Sequence, residues 1–128
     1  MVRRIGVLAL LVSGVLLLRT VRTWFAVRVA GESMMPTLRP GELLAVRPPG
    51  PGEPVAGQIV VARMGGREVV KRVGVAPGRL PDGSLWLTGD NRTRSTDSWA
   101  SGPVVRAAIV GVVRACYWPL SRIRVLRG

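Results

Sequence analysis

The sequence has no histidine, one lysine and one cysteine among its 128 residues. Without histidine there is no Ser-His-Asp triad, no Cys-His dyad and no His-ligated zinc site. A single cysteine, Cys116, excludes an intrachain disulfide and every CxxC redox or metal motif. Aromatic residues make up only 5% of the chain, too few for a base-stacking platform. Any chemistry falls to Ser, Thr, Lys, Asp, Glu and the backbone. No metal and no cofactor is expected.

Hydrophobic residues, by contrast, are 48% of the chain, which excludes intrinsic disorder. The length fits one small domain. The net charge is +12, and its distribution is uneven. Residues 1–28 hold five arginines and no acid. Residues 29–104 hold eight arginines, the one lysine and all seven acids. Residues 105–128 again hold five arginines and no acid. A nucleic-acid binder places its basic face at the binding surface, among aromatics. Here the middle is nearly balanced and the ends are basic. That pattern suits contact with anionic lipid headgroups, and no nucleic-acid partner is expected. Solvation by arginine in an Arg-preferring proteome accounts for part of the excess.

Residues 5–18 (IGVLALLVSGVLLL) form a run of fourteen without a charge. As a helix it would span about 21 Å, short of the ~30 Å hydrocarbon core. Extension through Val27 supplies the missing length. Arg19 and Arg22 would then share a face and snorkel to the interface, beside Trp24 and Phe25 as aromatic anchors. A cleaved secretory signal is the alternative, but Arg19-Thr20-Val21-Arg22 follows the run where a small-x-small site belongs. The chain is therefore expected to divide into a membrane anchor over 1–27 and a folded domain over 28–128. Arg3 and Arg4 favour an inside N-terminus, whereas Arg19, Arg22 and Arg28 argue the other way.

After residue 28 short apolar runs alternate with Gly and Pro, the pattern of an all-β domain. Residues 43–46, 59–62, 68–73, 85–87, 104–113 and 123–126 are the expected strands. Gly65-Gly66 is a two-residue hairpin turn. The stretch 48–54 (PPGPGEP) is a loop. Trp86, Trp99 and Trp118 are expected to pack in the core or at its rim.

Lys71 is the most informative single residue. Arginine does not lose its proton in a protein, whereas lysine can. A chain with 18 arginines has little electrostatic need for one lysine. Alternation along the strand puts Lys71 on the face of Val69 and Val73, with Arg72 opposite beside Val70. Apolar surroundings disfavour the ammonium and lower its pKa. A neutral amine there can serve as general base, Schiff-base nucleophile or hydroxyl activator. Chance retention on an exposed edge is the plain alternative.

Three segments, in order, carry a resemblance. They are Ser33-Met34-Met35-Pro36-Thr37-Leu38; Lys71-Arg72 followed by Pro77-Gly78; and Gly89-Asp90-Asn91-Arg92 with Ser95, Asp97 and Ser98. The chain resembles the type I signal peptidases, Ser/Lys membrane proteases that remove signal peptides. Gly102-Pro103-Val104, Ile109-Val110-Gly111 and residues 117–123 resemble the sequel. The resemblance runs over roughly residues 5–123. It implies a mostly β fold: an N-terminal transmembrane helix, then a small all-β catalytic domain of coiled antiparallel sheets. It implies that Ser33 is the nucleophile and Lys71 its general base, with about 2.6–3.2 Å expected between Ser33 Oγ and Lys71 Nζ. The Ser33 backbone N–H would stabilise the oxyanion. Gly31 stands where some members carry a second, hydroxyl donor. Met34, Met35 and Pro36 lie next to the substrate, Met34 and Pro36 fixing the backbone. Ser95 would orient Lys71, Asp97 would pair with Arg72, and Asp90 and Asn91 would shape their loop.

Three departures stand out. Trp99 replaces an Arg common after Asp-Ser. Gln58 replaces a common Asp, a change expected in a surface turn. Only ten residues separate Gly78 from Gly89, where larger members insert a second domain. The chain thus resembles a minimal catalytic core.

The resemblance implies cleavage after small residues of precursors bearing signal or leader peptides. It places a single-pass monomer in the plasma (inner) membrane, its catalytic domain on the extracytoplasmic side. Two alternatives remain: a maturation protease for one particular precursor, and a non-catalytic assembly or binding factor of the same fold.

Overall fold

The structure is a computed structural model that describes residues 23–127. The apolar run 5–18 lies outside the described residues. No helix among the described residues is long and apolar enough to cross a membrane.

The described chain is mostly antiparallel β-structure. Its strands are β1 (Phe25–Arg28), β2 (Leu43–Arg47), β3 (Ile59–Met64), β4 (Arg67–Val73), β5 (Ser84–Leu85), β6 (Leu87–Thr88), β7 (Val104–Val105), β8 (Ile109–Trp118) and β9 (Arg124–Val125). A short helix, α1 (Ser98–Ser101), precedes β7. The larger sheet runs β1-β2-β8-β3-β4-β6, with β9 also paired to β8; β5 and β7 form a separate pair. The long β8 serves β2, β3 and β9. Its register shifts against both β2 and β3 bend and coil the sheet.

Adjacent side chains on β3 explain its unbroken apolar run. Ile59 and Val61 enter one core cluster with Val29, Met34, Leu38 and Leu44. Val60 and Ala62 enter the other, with Val73, Leu87 and Val104. Both faces of β3 are covered, so alternation is lost and hydrophobicity is continuous. Gly65 and Gly66 close the β3–β4 hairpin with φ of 58° and 78°, the left-handed pair a tight hairpin turn demands.

Several expected boundaries move. Residues 25–27, expected at the end of the membrane anchor, instead belong with Arg28 to β1, paired residue for residue with β2. The stretch 85–87 is not one strand: buried Trp86 separates β5 from β6, which belong to different sheets. Residues 104–113 are broken by a 3-10 turn at Arg106–Ala108, and the second part continues to Trp118. Trp86 packs edge-on against the exposed Trp99 at 5.3 Å, and Trp118 is exposed at the rim.

Candidate active site

Ser33 lies in a turn over residues 31–38 that joins β1 to β2. Two side chains sink this turn into the first core cluster: Met34, 1% exposed, and Leu38, fully buried. Burial of such side chains stabilises by about 1.5–3 kcal/mol each. The Leu38 N–H donates to the Met34 carbonyl at 2.9 Å, and that of Met35 to the Glu32 carbonyl at 3.1 Å. Gly31 enters the turn at φ +75°, a conformation that favours glycine over any side chain bearing a hydroxyl. From the other side, Asn91 holds the turn by its main chain. Its N–H donates to the Ser33 carbonyl at 2.8 Å, and its Nδ2 to the Glu32 carbonyl at 3.1 Å.

Lys71 is 3% exposed. Its Nζ donates to Ser95 Oγ at 3.0 Å, and Ser95 Oγ donates onward to Asp97 Oδ2 at 3.0 Å. Asp97, also buried, accepts further bonds from the Gly89 N–H at 2.9 Å and the Trp99 N–H at 3.1 Å, the second capping α1. Burial pushes the Lys71 amine below its ordinary value of 10.5, with the Asp97 charge opposing. Ser33 and Lys71 both line a cleft of about 510 Å³, with Val29, Met34, Val69 and Thr96 on its wall. Gly31, Met35 and Pro36 are not among its lining residues. The expected direct hydrogen bond between Ser33 Oγ and Lys71 Nζ is not formed among the described residues; the lysine's hydrogen bond goes to Ser95. Such contacts often tighten only when substrate binds.

The expected Asp97–Arg72 pair is corrected. Arg72 pairs with Asp90 through two bonds, Nε to Oδ1 at 2.9 Å and Nη2 to Oδ2 at 2.8 Å. Consecutive residues on a strand face opposite ways. Asp97 lies on the Lys71 side, so Arg72 meets Asp90 instead. Burial would raise the Asp90 carboxyl, but Arg72 and Thr37 outweigh it and hold the pKa down. Thr37 Oγ1 donates to Asp90 Oδ2 at 2.6 Å, tying the first motif to the third.

The structure gives several residues roles that the sequence reading did not assign. A Cβ on Gly89 would stand 2.1 Å from Ser95 Oγ and 2.7 Å from the Ser33 carbonyl oxygen. Only a glycine lets the third motif approach both. Ser98 Oγ accepts the buried Leu87 N–H at 2.9 Å. Gln58 closes a turn, its N–H donating to the Val55 carbonyl at 3.2 Å, but it is buried rather than on the surface, with Nε2 donating to Glu53 Oε2 at 2.7 Å. Arg122 and Arg124, counted above with the basic end, are spent internally on the buried carboxylate of Glu42. Glu42 stands beside an apolar strand, but nothing local in the sequence pairs it with arginines about 80 residues later.

Among the described residues no group of three or more Cys, Asp or Glu side chains is placed to hold a metal ion. The arrangement gathers a hydroxyl, a buried amine and a relay of hydrogen bonds at one cleft.

Comparison with known proteins agrees with that chemistry. A family model described as Peptidase S24-like matches residues 10–114, most of the chain, and the chain belongs to this family. The curated relatives it is similar to include signal peptidases and mitochondrial inner membrane protease subunits. It is 39% identical over 62 residues to Signal peptidase I of Mycobacterium tuberculosis, covering 40% of this chain and 21% of that protein. It is 44% identical over 48 residues to Mitochondrial inner membrane protease subunit 1 of Xenopus tropicalis, covering 38% and 29%. It is 46% identical over 44 residues to Mitochondrial inner membrane protease subunit 2 of Danio rerio, covering 34% and 24%. The matches span less than a third of the length of these relatives.

Proposed function

We propose that this chain is a membrane-bound serine endopeptidase that cleaves signal or leader peptides after small residues, with Ser33 as nucleophile and Lys71 as general base. The observation that carries the reading is the pairing, at one cleft, of a serine with a buried lysine whose proton affinity is lowered.

The chemistry follows from the hydrogen-bond directions. Ser95 donates its proton to Asp97, so its lone pair receives a Lys71 N–H. In the neutral amine the Nζ lone pair is then left to accept the Ser33 hydroxyl proton as Oγ attacks the scissile carbonyl. A tetrahedral oxyanion forms and collapses. The leaving amine takes the proton from Lys71, and the acyl group remains on Ser33. Water, deprotonated by the same amine, then releases the acyl group and restores Ser33. The Ser33 N–H serves the oxyanion, a contribution of about 3 kcal/mol for such a donor.

Substrate access fits the same cleft. Residues 27–30, the end of the edge strand β1 and the two residues beyond it, and residues 67–71 of β4 flank it, so an extended peptide can lie between two strand edges. The apolar run 5–18 anchors the chain, and the β domain works on the extracytoplasmic side as a monomer.

The test is incubation of detergent-solubilised full-length protein with a signal-peptide-bearing precursor, the cut located by mass spectrometry. The expected result is a single cut after a small residue that Ser33→Ala abolishes without unfolding the domain. Cleavage that survives Ser33→Ala would overturn the proposal. Absence of cleavage by the folded wild-type protein would favour the binding-factor alternative.

A further inference from the structure

Glu42 is 2% exposed, and a buried carboxylate needs dedicated partners. It has them in unusual number. The Arg39 N–H donates to Oε1. Cys116 Sγ donates to Oε2 at 3.0 Å, Arg122 Nε at 3.1 Å and Arg124 Nη1 at 2.8 Å. Burial would raise the carboxyl; the bonds from Arg124, Cys116, Arg122 and Arg39 outweigh it and hold it well below the usual carboxylate range. Arg124 does more. Its Nη2 also donates to the Thr37 carbonyl.

These contacts converge on one place. Thr37 and Arg39 belong to the segment that carries Ser33. This segment is held by the third motif, through Asn91 at the Ser33 carbonyl and Asp90 at the Thr37 hydroxyl. It is held a second time, by Glu42 at the Arg39 amide and by Arg124 at the Thr37 carbonyl. Arg124 sits on β9, whose pairing with β8 is only two residues long. A buried ion cluster is a weak route to stability, because apolar packing often does as well. It is a strong route to geometry. The chemistry needs the Ser33 N–H and Oγ aimed together, and small misplacements there are costly in rate.

We infer that Glu42 and Arg124 are positioning residues for the Ser33 turn, and that the C-terminal strand β9 braces that turn. The inference rests on the peptidase reading for its kinetic consequence but not for its structural one. Neither residue touches substrate; both act through the backbone of residues 37–39.

The test compares Arg124→Ala, Arg124→Lys and Glu42→Gln with wild type in the full chain. Two quantities are read: kcat and KM for precursor cleavage, and amide hydrogen exchange by NMR. For Arg124→Ala the expected kcat is lower by about 10- to 100-fold, with KM changed less than about threefold. Amides of Leu38 and Arg39 should exchange faster, while those of β3 and β4 keep their protection. Arg124→Lys retains a charge beside Glu42 but cannot also span to the Thr37 carbonyl, so an intermediate kcat is expected. Arg127→Ala, at an exposed site nearby, should match wild type. If Arg124→Ala does not fold, Arg124→Lys and Glu42→Gln carry the same comparison.

Unchanged kcat and unchanged exchange at residues 38–39 would overturn the brace. So would a loss of protection spread evenly over the whole domain, which marks a merely structural cluster. If wild type cleaves nothing, the peptidase reading fails, and local exchange at residues 38–39 still decides the brace. If wild type cleaves and the variants leave those amides untouched, the brace fails and the peptidase reading stands.

Discussion

Lys71 and Arg72 are neighbours on β4, yet the two faces they occupy are built on opposite principles. Lys71 is buried, and its hydrogen bond goes to a neutral hydroxyl, with the Asp97 carboxylate one step further away. Arg72 is half-buried and meets a carboxylate head-on through two nitrogens. One face withholds a full counter-charge and so favours the neutral amine. The other supplies it in bidentate form and fixes a guanidinium for good. A single strand thus separates a group whose proton can move from a group that holds scaffold. The division depends on side-chain chemistry, since alternation alone would serve either residue at either place.

The largest expected effect comes from reversing that choice. Lys71→Arg keeps the charge and removes the deprotonable amine, and precursor cleavage should fall by about a thousandfold or more. Arg72→Lys, the mirror change, should leave kcat within about tenfold and register mainly as lower stability, because a point charge replaces a bidentate pair. Equal kinetic losses from both would erase the comparison.

Smaller effects sharpen it. Ser95→Ala removes the acceptor that orients Lys71, and kcat should fall by about tenfold with the melting temperature nearly unchanged. Asp90→Asn should do the reverse. It weakens the ties to Arg72 and Thr37, costing about 1–3 kcal/mol in thermal or denaturant unfolding while the chemical step is largely kept.

Much of this site was legible in the sequence, for physical reasons. The Lys71 argument needed only the chemistry of amine against guanidinium and the alternation of a strand. The resemblance carried by the three motifs brought Ser33, Lys71 and Ser95 together, and the structure has Ser33 and Lys71 at one cleft with Ser95 in hydrogen-bond reach of the lysine. The Gly65-Gly66 turn was legible because it demands left-handed backbone. What could not be read was pairing over long separations. Whether Arg72 meets Asp90 or Asp97 depends on which way a loop folds across the sheet, and both acids fit the charge. Arg122 and Arg124 looked like free terminal charge because their partner, Glu42, lies about 80 residues earlier. Residues 25–27 looked like the end of an apolar stretch because Phe-Ala-Val suits either environment; only pairing with β2 decides for a strand. Trp86 split one expected strand into two because the chain changes sheets there, and no local signal marks that switch.

The central claim is that Lys71 has a lowered proton affinity in the folded protein. Because it is the chain's one lysine, protein labelled with [ε-13C]lysine gives a single side-chain NMR resonance that can be followed against pH. The sign is fixed by burial: between the folded pKa and the ordinary 10.5 the unfolded chain holds more protons, so stability rises with pH through that window, as does the active neutral amine. The account predicts a titration midpoint clearly below 10.5, matched by the rise of cleavage rate with pH and moved upward on unfolding. A midpoint at or above 10.5 would leave Lys71 charged at working pH and would contradict its role as a base.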